Sequence, residues 1–288
     1  MACKNEDWCI GLSLRAALEW NDAVVVLLHD CTDQSAAIVE EVSLENPDRV
    51  ITLVDAGETW FEMQQRNRML ECARRNGATH ISIVDCDEVL SANLIPSIRA
   101  LFERIDGNQV LQLPWVCLAR SLDRFYCSGP WYRNWVSCGF LDSPAAHWAA
   151  QGVEKYDFHH RHPMGRPCVP FTPVSQNMPA HEGGLMHLQF VSERRLRAKQ
   201  SLYKTTEVLR WPGRETIAQI NAKYNRAVYE SDPAKFSTAP CPADWWSHYA
   251  PLMKYIDVER EPWQEKRLRE LVAAHPGEVA GLDLFGVA

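Results

Sequence analysis

The sequence lacks several patterns that would place it in a large class of proteins. It contains no dense run of lysine and arginine, and its net charge of −7 argues against general nucleic-acid binding, which requires cations to neutralise phosphates. No stretch of about eighteen consecutive apolar residues exists, and no basic N-terminal region precedes an apolar core. Internal repeats and low-complexity tracts are also absent. We therefore expect a soluble, cytoplasmic protein.

The cysteines are numerous but form no recognisable framework. Ten are present, and no two of them are spaced as C-x-x-C. Cys31, Cys72 and Cys86 fall in strand, helix and strand-end contexts, which indicates reduced thiols rather than disulfides.

Helical and strand signals alternate through the first half of the chain, a pattern typical of βαβ units. The predicted strands are Ala23–Leu28, Val50–Val54, Thr79–Val84 and Gln109–Leu118. The predicted helices are Trp8–Trp20, a helix that ends near Glu41, Trp60–Asn76, Leu94–Arg104, Ser192–Leu209, Glu215–Tyr229 and Pro262–Ala274. Prolines, tryptophans and histidines crowd residues 130–179, as in functional loops or an acceptor-binding insertion.

One predicted strand ends in three acidic residues. The run Ile81-Ser82-Ile83-Val84 is followed by Asp85, Cys86, Asp87 and Glu88. Open α/β sheets bind ligands at the carboxyl ends of their strands, so these carboxylates are expected at a binding site. Clustered carboxylates repel one another unless a cation compensates them, and hard oxygen ligands suit divalent metals. The motif predicts metal-assisted chemistry on a phosphate.

Four segments, in this order along the chain, resemble the motifs of the family 2 glycosyltransferases. Residues 3–8 (CKNEDW) resemble the K-N-E segment after the first strand, and residues 31–33 (CTD) resemble the S-T-D turn. Residues 66–67 (RN) resemble the R-N helix, and residues 85–88 (DCDE) match the D-x-D motif in a D-x-D-E form. The resemblance covers residues 1 to about 105.

This resemblance implies a GT-A fold of the nucleotide-diphospho-sugar transferase type. Such a fold is α/β, with a mixed, mostly parallel sheet flanked by helices, here followed by a helical C-terminal portion. Residues 1–210 would form the glycosyltransferase domain, divided into a nucleotide-sugar donor half (1–110) and an acceptor half (111–210). Residues 211–288 would form a helical C-terminal extension.

The family's chemistry, carried to matching positions, implies inverting transfer from a nucleotide-sugar donor to a hydroxyl. Mn²⁺ or Mg²⁺ would neutralise the diphosphate leaving group. The implied metal ligands are Asp85, Asp87 and His187. The implied nucleotide-sugar contacts are Cys3, Asn5, Glu6, Arg66, Asn67 and Asp85.

The acceptor side of the reaction has its own candidates. Glu182, followed by Gly183 and Gly184 that would let backbone approach a ligand, is the first choice for the catalytic base, with Asp157 in reserve. The acceptor could be a glycan, a lipid-linked molecule or a small molecule. Sugar rings stack well on aromatic side chains. The candidates for that role are Trp131, Tyr132 and Trp135.

Two positions depart from the family pattern. The chain begins almost inside the first motif, so the first strand is either shortened or preceded by further residues. Leu28 and His29 stand where the family often has an aspartate that contacts uracil, which leaves the base of the nucleotide open.

Other interpretations remain. Residues 85–88 could form an ordinary strand-to-helix turn, Arg66 could lie on a solvated helix face, and His187 could be a core histidine. A haloacid-dehalogenase-like phosphatase would use Asp85 as nucleophile and Asp87 as acid. A catalytically silent GT-A-like domain could bind a nucleotide or glycan, and weak peripheral association with membranes is also open.

Overall fold

The computed structural model describes residues 1–56, 62–107, 109–144, 146–148 and 179–288, together with the backbone of residues 172–175. These residues form a mixed α/β structure. Its strands are β1 (Ala2–Cys3), β2 (Val24–His29), β3 (Val50–Asp55), β4 (His80–Ser82), β5 (Glu88–Leu90), β6 (Gln109–Cys117), β7 (Arg124–Tyr126), β8 (Trp135–Leu141), β9 (Thr172–Ser175), β10 (Leu185–His187) and β11 (Thr238–Pro240). Its α-helices are α1 (Ile10–Leu18), α2 (Ser35–Glu45), α3 (Glu62–Arg75), α4 (Ile95–Phe102), α5 (Glu193–Arg210), α6 (Ile217–Tyr229) and α7 (Trp263–Ala274).

The predicted elements are confirmed within a few residues at each end. The largest differences are at α2, which ends at Glu45 rather than near Glu41, and at Thr79–Val84, where the strand β4 covers only His80–Ser82. The first strand, β1, has two residues.

Two compact units divide the chain. The first contains residues 1–116, 133–187 and 242–257, and the second contains residues 117–132, 188–241 and 258–288. The predicted division at residue 210 lies between α5 and α6, two helices that pack together in the second unit, and it stays a prediction.

A three-stranded parallel sheet, ordered β1-β2-β3, forms one part of the first unit. The apolar run of β2 is buried because α1 and α2 pack on it, and every residue of α1 is buried as well. The core of this part includes Ile10, Leu14, Val26, Val39 and Val42. The alternation of helix and strand in the sequence therefore does produce parallel pairing here.

A second sheet in the first unit has the order β4-β8-β6-β10-β5, with β9 beside β6. The pairs β4–β8, β6–β8 and β5–β10 are antiparallel, whereas β6 and β9 are parallel. The expectation of a mostly parallel sheet is therefore wrong for this part of the molecule. In the described part of the chain from β4 to β8, α4 is the only α-helix between successive strands, and parallel neighbours need such crossovers.

The second unit is built mainly from helices. The helix α5 packs against both α6 and α7, while β7 and β11 form a small antiparallel pair. Thr216 and Gln219 form a capping box at the start of α6. Tyr126, Phe190 and Leu196 lie in its buried core. No helix in the described ranges is both long and apolar enough to cross a membrane.

Candidate functional site

The first two predicted motifs meet at the carboxyl ends of β1 and β2. Asn5 is 3% exposed and adopts a φ of 55°. Its Oδ1 accepts a hydrogen bond from the backbone N–H of Thr32 at 2.7 Å, and its Nδ2 donates to Thr32 Oγ1 at 3.2 Å. The asparagine is suited to this conformation because its short amide can bond nearby backbone. Asn5 therefore joins the loop after β1 to the loop after β2.

Neighbouring residues strengthen the same junction. Lys4 Nζ lies 2.8 Å from Asp30 Oδ2, and this ammonium lowers the pKa of Asp30 below its usual range. The backbone N–H of Glu6 donates to Ser35 Oγ at 2.8 Å, at the start of α2. The Glu6 carboxylate accepts from the indole N–H of Trp8 at 2.5 Å. These contacts hold the two loops in one fixed arrangement at the edge of the sheet.

The acidic loop after β4 is neutralised in part by α3. Arg66 Nη2 lies 3.1 Å from Asp85 Oδ1, and Arg66 Nε lies 2.8 Å from Glu62 Oε1. The Arg66 side chain is 7% exposed, so the interpretation of a solvated helix face is wrong. A mostly buried guanidinium between two carboxylates is a charge network rather than a surface pair.

Asp87 and His187 converge from opposite strands. His187 Nε2 lies 3.4 Å from Asp87 Oδ2, and both side chains are mostly buried. Their proximity follows from the register of β5 and β10, in which His187 is the direct partner of Glu88. A carboxylate oxygen and an imidazole nitrogen are ligand types that Mn²⁺ accepts.

The described residues hold no group of three or more histidine, cysteine, aspartate and glutamate side chains arranged as a complete metal site. Mg²⁺ ions commonly take only one or two protein carboxylates and complete their coordination with water and substrate phosphates. The donor set of Asp87 and His187 fits a cation held jointly with a phosphate ligand. It does not fit a closed structural metal site.

Glu88 has a role that the sequence did not suggest. This carboxylate is 1% exposed. Its Oε1 accepts from the indole N–H of Trp115 at 2.8 Å, and its Oε2 accepts from the backbone N–H of Asp85 at 2.9 Å. The Trp115 ring stacks on the His187 imidazole, with centroids 4.3 Å apart and planes inclined by 19°. No sequence signal singles out Trp115, which is one of eleven tryptophans.

A second group that the sequence analysis missed lies at the ends of β2 and β3. His29 Nδ1 is 3.1 Å from Asp55 Oδ2, and Gln65 Nε2 donates to the same oxygen at 2.7 Å. The Gln65 amide, with smaller contributions from His29 and Arg68, lowers the pKa of Asp55. Asp55 could have been found in the sequence, because it is a carboxylate at the end of the apolar run Val50–Val54, as Asp85 is at the end of Ile81–Val84.

Two predicted nucleotide contacts lie in surroundings that differ from the expectation. Cys3 is 0% exposed, and its Sγ lies 3.9 Å from Cys31 Sγ in the interior, where it offers no surface to a nucleotide. Asn67 uses both ends of its amide on the backbone of Trp148, at 2.8 and 2.9 Å. In this structure both residues contact the chain itself.

Cys86, the middle residue of the acidic motif, points away from that motif's carboxylates. Its Sγ donates to the carbonyl of Ala2 at 3.1 Å, and burial raises the pKa of the thiol to about 11. Cys86 therefore stays protonated at neutral pH and ties the acidic loop to β1.

Glu182 lies at the other end of the β5–β10 ladder from His187. It is exposed, belongs to the short 3-10 turn Ala180–Glu182, and its carbonyl accepts from Asn93 Nδ2 at 2.7 Å. The ladder between Glu182 and His187 is about three residues long, which corresponds to roughly 10 Å along a strand. The role of Glu182 as a base stays a prediction, and Asp157 lies outside the described residues.

The glycines after Glu182 approach their own chain rather than open space. A Cβ on Gly184 would lie 2.2 Å from the carbonyl oxygen of Pro114, and one on Gly183 would lie 2.5 Å from Ser91 Oγ. Gly184 is required because its backbone is pressed against Pro114 of β6, and Gly183 because its backbone is pressed against the Ser91 side chain. The expectation that these glycines allow backbone to approach a ligand stays a prediction.

The predicted acceptor-binding aromatics are divided between the two units. Trp131 packs on Phe190, with centroids 4.6 Å apart, in the second unit, to which Tyr132 also belongs. Trp135 is half-buried at the start of β8 in the first unit. Their role as a sugar-binding surface stays a prediction.

Comparisons with known proteins add little to this picture. No family model matches the chain, and no curated protein matches it. Among solved structures it is similar to a crystal structure of residues 1–349 of S. aureus TarS, a wall teichoic acid glycosyltransferase, with a TM-score of 0.34 and 13% identity. That match covers 94% of this chain and 85% of the other. A likeness at this level assigns neither a fold family nor a function.

Proposed function

We propose that this protein is a metal-dependent glycosyltransferase, which transfers a sugar with inversion from a nucleotide-sugar donor to an acceptor hydroxyl. The observation that carries the proposal is the convergence of Asp87 and His187, 3.4 Å apart, beside the ion pair of Asp85 and Arg66. The four ordered motifs that resemble family 2 glycosyltransferases support the same assignment.

Asp87 and His187 would hold Mn²⁺ or Mg²⁺, with Asp85 close to the same position. The cation, when bound, supplies positive charge that stabilises the leaving diphosphate. Arg66 orients Asp85 through their 3.1 Å contact. The remaining coordination positions are left to phosphate oxygens and water.

The donor would lie against the loops after β1 and β2, which Asn5 and Thr32 join. Glu6 and Arg66 remain proposed contacts for the nucleotide-sugar. Glu182 or Asp157 would take the proton of the acceptor hydroxyl. Trp131, Tyr132 and Trp135 remain proposed contacts for the acceptor, whether glycan, lipid-linked or small molecule.

A thermal-shift screen of UDP, GDP, CDP and dTDP, each with and without Mn²⁺, tests this proposal. A ligand that binds only the folded state adds about 2.7 kcal/mol of stability at a hundred times its dissociation constant. We expect one nucleotide to stabilise the protein only when Mn²⁺ is present. Asp87→Ala should abolish that shift, whereas Glu103→Gln, a matched change at an exposed carboxylate of the same unit, should keep it.

The possible outcomes separate the competing functions. Retention of the Mn²⁺-dependent shift in Asp87→Ala would contradict the metal assignment. No shift with any nucleotide would favour a phosphatase. A shift without turnover of any nucleotide-sugar donor would favour a silent binding domain.

A further inference from the structure

Glu88, Trp115 and His187 come from three adjacent strands of the second sheet. The order β6-β10-β5 places His187 on the middle strand, with Trp115 on one neighbour and Glu88 on the other. The hydrogen bond from Trp115 Nε1 to Glu88 Oε1, 2.8 Å long, spans the middle strand. The indole therefore lies over the imidazole, and its hydrogen bond to Glu88 holds it from the strand on the other side of His187.

The Glu88 carboxylate is committed to this arrangement. Burying an ionised carboxylate is costly unless its oxygens are hydrogen-bonded. One oxygen accepts from the Trp115 indole and the other from the backbone N–H of Asp85. Glu88 thus connects the orientation of the indole with the position of the acidic loop.

The stacked indole restricts the imidazole. The ring centroids are 4.3 Å apart and the ring planes are inclined by only 19°, so the Trp115 indole hinders tilting of the His187 ring out of its plane. The allowed ring plane is the one that directs Nε2 towards Asp87 Oδ2. Groups that orient a metal ligand in this way commonly contribute 10- to 100-fold to metal affinity.

We propose that Glu88 and Trp115 are positioning residues, which hold the His187 imidazole in the orientation that a divalent cation on Asp87 requires. This inference rests on the proposed function, since it assigns a second layer of residues to the same metal site. Neither residue contacts the cation in this scheme. Both act through His187.

The test measures binding of Mn²⁺ alone to the full chain, by electron paramagnetic resonance of the free ion. Trp115→Phe removes the indole N–H. Glu88→Gln replaces the carboxylate by an amide, although both hydrogen-bond partners at this position, the Trp115 indole and the Asp85 backbone N–H, are donors. We expect each to weaken Mn²⁺ binding about 10- to 100-fold. Trp20→Phe, which removes another buried indole from the same core, should leave the affinity unchanged.

A double-mutant cycle separates positioning from a merely structural role. In a His187→Ala background, Trp115→Phe should change the Mn²⁺ affinity by less than about twofold, because the residue it positions is gone. An equal loss in both backgrounds would overturn the proposal, as would a Trp115→Phe variant that binds Mn²⁺ like the wild type.

The same data distinguish failure of this inference from failure of the proposed function. If Asp87→Ala loses Mn²⁺ binding while Trp115→Phe and Glu88→Gln retain it, the positioning role is overturned and the proposed function stands. If the wild-type protein shows no saturable Mn²⁺ binding, either alone or with any of UDP, GDP, CDP and dTDP present, both are overturned.

Discussion

Arg66 Nη2 donates to Asp85 Oδ1 across a distance of 3.1 Å, which connects α3 to the acidic loop after β4. The same guanidinium bonds Glu62, and the side chains of Arg66 and Glu62 are each 7% exposed. One cation therefore compensates two carboxylates, and the loop has a positive neighbour before any metal binds. This ion pair compensates Asp85, one of the three acidic residues that follow the apolar run Ile81–Val84.

Removal of this cation should be costly. Arg66→Ala leaves the mostly buried Glu62 carboxylate without its charge partner, and breaking a buried pair typically costs 3–5 kcal/mol. We expect a loss of about 3 kcal/mol in the free energy of unfolding, because Asp85 is still partly exposed to water. Urea denaturation monitored by tryptophan fluorescence measures this change. Arg68→Ala, on the exposed face of the same helix, is the control. A loss below about 1 kcal/mol for Arg66→Ala would mean that water already screens the network.

Glu182→Gln tests the assignment of the base. We expect the variant to bind the donor nucleotide with Mn²⁺ as the wild type does, and to lose transfer by about 10²- to 10⁴-fold, the usual contribution of a general base. Donor binding is read from the thermal shift and transfer from nucleotide release. Asp157→Asn is assayed in parallel. Near wild-type transfer by Glu182→Gln, with loss in Asp157→Asn, would assign the role to Asp157.

Gly184→Ala should destabilise the protein. The added Cβ would lie 2.2 Å from the Pro114 carbonyl oxygen, which belongs to backbone that cannot move without disturbing β6. Overpacking of this kind costs about 1–3 kcal/mol, occasionally more. Gly107→Ala is the matched control, since a Cβ there has no neighbour within 4 Å. Unfolding midpoints that fall equally for both variants would contradict the steric explanation.

Glu207 should make stability depend on pH in the acidic range. Burial raises its pKa, but hydrogen bonds from Lys223 and Tyr224 outweigh that effect, and the pKa lies below its ordinary value. The unfolded chain then binds more protons than the folded one near the ordinary glutamate pKa of about 4.3. The contribution of Glu207 is complete above that pH and is lost as the pH falls through the lower, folded value.

Comparison of the wild type with Glu207→Gln measures this effect. We expect the variant to be less stable by about 2 kcal/mol at pH 7, and the difference to shrink below about pH 4. Urea denaturation at a series of pH values gives both curves. Glu230→Gln, which breaks only an exposed pair with Arg226, should differ little from the wild type at any pH. A difference for Glu207→Gln that is independent of pH would exclude the linkage.

Local patterns in the sequence determined much of the fold. The apolar runs of β2 and β3, the periodic helices α1, α3 and α5, and the strand that precedes the carboxylates are all recognisable from residue type and spacing. The pairing of the strands was harder to predict from the sequence. Strand signals carry no information on which neighbour a strand selects, and the antiparallel pairs of the second sheet form between segments far apart in sequence.

The same distinction applies to the candidate site. The sequence by itself placed Asp85 and Asp87 at a strand end, because a polar cluster that directly follows an apolar run is expected at the carboxyl end of the strand. Only the tertiary structure decided that Trp115 covers His187 and that Glu88 binds the indole. Those contacts depend on the order and register of strands that are distant along the chain, and register is set by the packing of the whole sheet.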